Sequence, residues 1–251
     1  MISDFALKQT RPSFLTVGVD TGAGKTVFSG LFGQFMINKG VCLRLVKPLC
    51  SGGRKDIDFL AACGSLGQEE INFWYDDIPI SPAAWELRTG EKVDFDGMVS
   101  WLKEGTDSLA ECVLLIEGVG GLLAPITFKH TVASIAQELN SNLIIIAQNR
   151  VGVINHVLLT LEAATNRGLS IASVILMSQE EPDASVVHNA ELIRMNMLNI
   201  YDFKGVYEFP WLEEEADNPK LISTNAEKTK EVLGKVFYNV ISSSLVKDLN
   251  H

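Results

Sequence analysis

The sequence predicts an α/β fold: a mostly parallel β-sheet with helices on both faces, of the P-loop NTPase kind. Three observations predict it. Short apolar runs of strand length alternate with segments of helical apolar spacing along the chain. The run at 112–116 is continuously apolar, as in strands buried on both faces. The first run, at 14–19, opens into a glycine-bearing turn and then a helix-like segment.

Taken in order, the strand at 14–19 leads through Asp20-Thr21-Gly22-Ala23-Gly24-Lys25-Thr26 to helical spacing over 27–37. A second strand spans 41–46 and ends at Lys47-Pro48, since proline has no N–H for a ladder. Residues 51–53 are loop, and 56–62 form a short helix with Asp56 and Asp58 in its first turn. The stretch 68–80 is irregular and aromatic and receives no assignment. Ser81 as N-cap with Pro82 behind it starts a helix over 81–87, and 95–102 is amphipathic. A strand at 112–116 stops at Glu117-Gly118-Val119-Gly120-Gly121. Helices at 132–139, 157–164 and 186–197 alternate with strands at 143–147, 171–177 and 203–209, the last ending at Pro210-Trp211. Val232, Leu233, Val236, Phe237 and Val240 give the tail helical spacing within 225–246. The 251 residues read as one domain, 1–251, with an N-terminal extension over 1–12 and a helical tail over 220–251.

In open parallel sheets ligands gather beyond the carboxyl ends of the strands. The residues following each run should therefore line one rim. The first turn departs from G-x-x-x-x-G-K-[ST] only at its opening position, where Val19 stands and Gly18 lies one residue upstream. It remains a phosphate cradle for a nucleoside triphosphate: backbone N–H groups of Gly22, Ala23, Gly24 and Val27 at the loop and helix start, Lys25 for the outer phosphates, Thr26 for a metal ion. Lys25 and Lys47 bring two ammonium charges to one crevice, suited to a transferring phosphoryl group and an anionic acceptor. Thr26, Asp58 and Glu117 offer the hard oxygen ligands magnesium prefers. Gly118 and Gly120, about Val119, permit close approach to phosphates.

Other classes find little support. A net charge of −10 with no basic stripe argues against nucleic acid. No apolar run reaches membrane-spanning length and the first dozen residues lack a signal-peptide core, so the expected compartment is the cytoplasm. The four cysteines form no C-x-x-C pair; they read as reduced structural thiols, Cys42 and Cys112 as small apolar filler in strands. No zinc pattern is present, and His156 reads as a capping or packing residue.

Gly18 to Thr26, Lys47-Pro48 followed by Ser51, Glu117 to Gly121, Gly152-Val153-Ile154-Asn155-His156 and Pro210-Trp211-Leu212, in this order over 14–212, resemble the dethiobiotin synthetases. That resemblance implies an ATP-dependent ligase of biotin synthesis. In it diaminopelargonic acid and carbon dioxide (from bicarbonate) give a carbamate, ATP phosphorylates it, and the second amine closes the ureido ring. It also implies Lys25 and Lys47 as catalytic groups, Thr21 and Ser51 against substrate, and magnesium on Thr26, Asp58 and Glu117. Met177, Phe209, Pro210 and Trp211 would flank the nucleotide. The turn Gly152, Val153, Ile154, Asn155 would hold the substrate's carboxylate from the neighbouring subunit of a homodimer, in keeping with a helix N-terminus.

Three departures stand out. Gly22 replaces an acidic residue, and the tail beyond Asn218 is long. Met177-Ser178 replaces the Asn-containing pair after the fifth strand, which removes the amide expected to read adenine and implies weak discrimination among triphosphates. Two other readings stay open: a partitioning-type ATPase switch, whose signature lysine is Asp20 here, and a nucleotide-binding protein without catalysis.

Overall fold

The computed structural model describes residues 12–64, 66–104, 112–201 and 205–248. Of the N-terminal extension only Pro12 falls among them, and the last three residues of the tail lie outside.

Six parallel strands form one sheet in the order β2-β5-β1-β6-β7-β8. These are β1 (Ser13–Gly18), β2 (Leu43–Val46), β5 (Val113–Gly121), β6 (Asn142–Gln148), β7 (Ile171–Met177) and β8 (Val206–Phe209). Helices α1 (Lys25–Asn38), α2 (Lys55–Cys63), α5 (Phe95–Glu104), α6 (Val132–Leu139), α7 (Val153–Thr165), α8 (Val186–Tyr201) and α9 (Ile222–Asp248) cover its two faces. Phe14, Leu15 and Val17 of β1, Leu143 to Ala147 of β6 and Val174 to Leu176 of β7 are all buried. Such central strands must be apolar toward both helix layers, which is why they read as continuous runs.

Two strands were not legible. β3 (Leu49–Ser51) and β4 (Trp74–Asp76) pair in parallel as a small second sheet, with α3 (Gln68–Ile71) between α2 and β4. Pro48 ends β2 and turns the chain, and its carbonyl accepts from the N–H groups of Phe73 and Trp74. Asn72 Nδ2 adds a bond to the Lys47 carbonyl at 2.8 Å. The aromatic stretch packs beside β2, only Pro79 and Ile80 at its end lining the cleft, and Trp74 meets Trp85 of α4 (Pro82–Thr89) edge-on, centroids 5.6 Å apart. Ser81 caps α4 as its sequence suggested, accepting from Ala84 N–H, with Pro82 behind it.

β5 runs four residues past Glu117, because the glycine run keeps pairing with β1 after a register shift that sets Gly18 opposite Gly121. The reading of Cys42 and Cys112 as reduced thiols is corrected: they form a disulfide. Adjacent strands explain it. With Leu43 opposite Val113, the residues just ahead of β2 and β5 face each other. Cys50 and Cys63 remain free and buried. In the tail, Leu233, Val236 and Val240 of α9 are buried and Phe237 meets Phe35 of α1 edge-on, so α9 backs the helix that begins at the phosphate cradle. Among the described residues no helix is long and apolar enough to cross a membrane.

Candidate active site

The loop between β1 and α1 closes on itself through glycine. Gly24, at φ 95°, is the N-cap of α1, a conformation other residues reach only under strain. Gly18 answers for the missing consensus glycine: a Cβ there would lie 2.5 Å from the Asp20 carbonyl oxygen and 3.0 Å from Lys25 Nζ. Thr16 in β1 bonds Ser29 in α1 at 2.8 Å and donates to the Ile116 carbonyl at 3.2 Å, tying helix, β1 and β5 together beneath the loop. Gln148 Nε2 donates to the Gly22 carbonyl at 3.0 Å from the side of β6.

In front of the loop lies a cleft of about 520 Å³ lined by Thr21 to Val27, Lys47, Ser51, Asp56, Pro79 to Pro82, Glu117 to Gly120, Ala124 and Asp217. Glu117, wholly buried, is its pivot. Glu117 Oε1 accepts from Thr26 Oγ1 at 2.8 Å and from Lys47 Nζ at 2.7 Å, while Oε2 is buried without a partner among the described residues. Lys47 also pairs with Asp56. Burial works to lower the Lys47 pKa, but Glu117 and Asp56 overcome it and hold the ammonium well above its ordinary range. For Lys25 burial prevails over the attraction of Glu117, with Lys47 adding to it, and its pKa is lowered. Nearby, burial pushes the Cys50 thiol up to about 11, which leaves it un-ionised.

Asp58 is corrected as a magnesium candidate: its carboxylate is exposed, accepts from Gln68 Nε2 at 2.8 Å and does not line the cleft. Two residues along a helix is a rotation of about 200°, so when Asp56 faces Lys47, Asp58 faces away. Spacing alone did not separate the two; the helix start at Lys55 does. Thr26, Glu117 and Asp56 are hard oxygen donors, and the uncommitted Oε2 is a buried anionic atom that a cation would satisfy. These residues fit magnesium. Among the described residues no group of three or more His, Cys, Asp or Glu stands ready to hold a metal, so water and phosphate oxygens would complete the shell.

Beside the loop a smaller pocket of about 130 Å³ is lined by Gly22 to Gly24, Val27, Gln148, Met177, Ser178, Gln179, Pro210 to Glu213 and Ala216. Met177, Pro210 and Trp211 come together here. Phe209 does not, being wholly buried with its ring edge-on to Phe28. Gln148 and Ser178 line this pocket as residues following strands should, whereas Gln179 here and Asp217 in the cleft were not singled out, because neither directly follows an apolar run.

The turn Gly152 to Asn155 lies outside both cavities. Gly152 is the N-cap of α7, and Val153 borders a small recess beside Thr21 with Asp20, Arg150 and His156. Val151 N–H donates to Asp183 Oδ2 at 2.8 Å; bonds from Ser185 and from this N–H hold the Asp183 carboxyl below its usual range. Next to it a groove of about 380 Å³ is bordered by Leu123 and Leu159, both exposed.

The model of a family described as AAA domain matches residues 13–233. An ATP-dependent dethiobiotin synthetase BioD from Anaeromyxobacter sp. is 34% identical over 195 residues, 74% of this chain and 85% of that protein. The chain belongs to the dethiobiotin synthetase family. Its relatives of the same name from Corynebacterium glutamicum (29% identity, 80% of this chain and 85% of that one) and Chlorobaculum tepidum (27%, 74% and 81%) agree. The dethiobiotin synthetases are ATP-dependent ligases, and this member is such an enzyme. Among solved structures, pNOB8 ParA bound to nonspecific DNA superposes with a TM-score of 0.56 at 11% identity, covering 92% of this chain and 99% of that one. A complex of a Cyanothece McdA variant with ATP gives 0.51 at 14%, covering 94% and 96%. These likenesses share the fold alone.

Proposed function

We propose that this synthetase uses magnesium and ATP to carboxylate diaminopelargonic acid and close its ureido ring, giving dethiobiotin, ADP and phosphate. The supporting observation is the Glu117 bridge: one carboxylate oxygen joins Thr26, at the start of the phosphate helix, to Lys47, at the end of β2, with Lys25 beside them.

One amine of the substrate attacks carbon dioxide and loses a proton, leaving a carbamate. A carbamate oxygen attacks the terminal phosphorus of ATP and displaces ADP; the second amine then attacks the carbamoyl carbon and displaces phosphate. Every stage places negative charge between Lys25 and Lys47, and fixed cations in a buried site need no reorganisation to stabilise it. Thr21 and Ser51 border the cleft where the diamine sits. Backbone N–H groups around Gly118 to Gly120 and the loop cradle phosphates. Thr26, Glu117 and Asp56 would hold magnesium, which when bound would neutralise phosphate oxygens. The Gly152 to Asn155 turn takes the substrate carboxylate from the other subunit of a homodimer, for which the Leu123 and Leu159 groove supplies an apolar surface.

The test is incubation of purified protein with magnesium, ATP, bicarbonate and diaminopelargonate. Dethiobiotin and phosphate should form together. Phosphate release that ignores the diamine, without dethiobiotin, would overturn the reading in favour of an ATPase switch.

A further inference from the structure

One residue lining the pocket beside the phosphate loop carries a polar atom that the described residues leave unsatisfied. Gln179 lines it, two residues past Met177, and its Nε2 is shut away from solvent with no hydrogen-bond partner among the described residues. A buried amide nitrogen without an acceptor forfeits its hydration with nothing in return, so such a group beside a native pocket calls for a ligand atom. Around it, Met177 lies close over Gly24, its Cε 3.0 Å from where a Cβ would stand. Trp211, 42% exposed, offers an aromatic face at the same pocket. The pocket shares Gly22 to Gly24 with the triphosphate cleft. A nucleotide with its phosphates in that cleft would have this adjoining pocket within reach of its base.

We infer that Gln179 reads the nucleobase and makes adenine the preferred base, in place of the asparagine that Met177 replaces. This rests on the cleft holding a nucleoside triphosphate. A glutamine amide presents a donor and an acceptor side by side, and adenine offers the complementary pair of a ring nitrogen and the exocyclic N6 amine. Guanine presents two acceptors on its corresponding major-groove edge, leaving the amide oxygen facing another oxygen or nitrogen lone pair. Cytosine, a single ring, reaches less far into the pocket.

Binding of ADP, GDP and CDP to the full chain by calorimetry, with magnesium and without diaminopelargonate, tests this. The unmodified protein should bind ADP about tenfold more tightly than GDP or CDP, the worth of one good polar pairing. Gln179→Leu should bring the three within about twofold by weakening ADP alone. Gln179→Glu, of the same shape but unable to donate when ionised, should do the same, so the inference survives a folding failure of either variant. Equal affinity for the three diphosphates in the unmodified protein, or an ADP preference that outlasts both substitutions, would overturn it. Binding is read without ring closure: loss of base preference on Gln179 substitution stands even if no dethiobiotin forms, whereas failure to bind any nucleotide sinks the underlying reading.

Discussion

Lys47 illustrates how far a single side chain is committed. It is 6% exposed and ion-paired to a carboxylate that is fully buried. Lys47→Ala should reduce dethiobiotin formation by about 10³-fold or more, the scale on which transition-state charge stabilisers act. It should also cost about 3–5 kcal/mol of stability, because it strands Glu117 without its cation. Lys47→Met with Glu117→Gln should recover most of that stability in denaturant melts and none of the activity. Full turnover in Lys47→Ala removes the residue from the chemistry. Lys25 gives a pH signature. Its folded pKa is lowered from 10.5, chiefly by burial, so the ammonium is lost at lower pH than in a free lysine. kcat/KM for ATP, which reports the free enzyme, should therefore fall on the alkaline side below pH 10.5; a limb beginning only above that value contradicts it. Both lysines could be found from sequence because each follows a distinct marker, a glycine turn and a strand stopped by proline. Asp56 could not be told from Asp58, since facing is set by where α2 begins, and Gln179 has no marker at all.

At the scale of elements, long apolar runs and capped helices showed themselves, and three-residue strands did not. β3 and β4 hold together through the Pro48 carbonyl and the Trp74–Trp85 contact, neither of which has a period. Cys42 and Cys112 were equally opaque, for each alone is an apolar strand residue, and only the β2–β5 register sets one against the other. Their bridge spans 70 residues of sequence. On the loop-entropy scale it is worth about 4 kcal/mol, so Cys112→Ser should lower stability by up to that amount, and treatment with a thiol reductant should do likewise. Thiol titration of the unfolded, unreduced protein should count two free cysteines; four would show the bridge absent.

For the whole molecule, the parallel sheet and the rim at its carboxyl edge followed from pattern alone, since each strand must be apolar on both sides and each loop after it opens to one side. The subunit arrangement did not, because exposed apolar residues on different elements become neighbours only after folding. Leu123, just past β5, and Leu159 of α7 are 47% and 56% exposed and border one groove. If that groove is the homodimer face, Leu159→Asp should shift the protein to monomer in sedimentation and raise KM for diaminopelargonate about tenfold, the effect expected when a bonded contact from the other subunit is lost. Unchanged mass and KM would place the interface elsewhere.

β2 lies at the margin of the sheet, four residues long, fastened by a covalent bond just before it and by a buried ion pair just after it. Slippage by one residue along its neighbour would turn every side chain to the opposite face, carrying Lys47 out of the cleft. With both ends tied, that slip requires breaking the sulfur bridge and the lysine–glutamate pair together. An outermost strand, ordinarily the most forgiving place in a sheet, is here anchored at both ends.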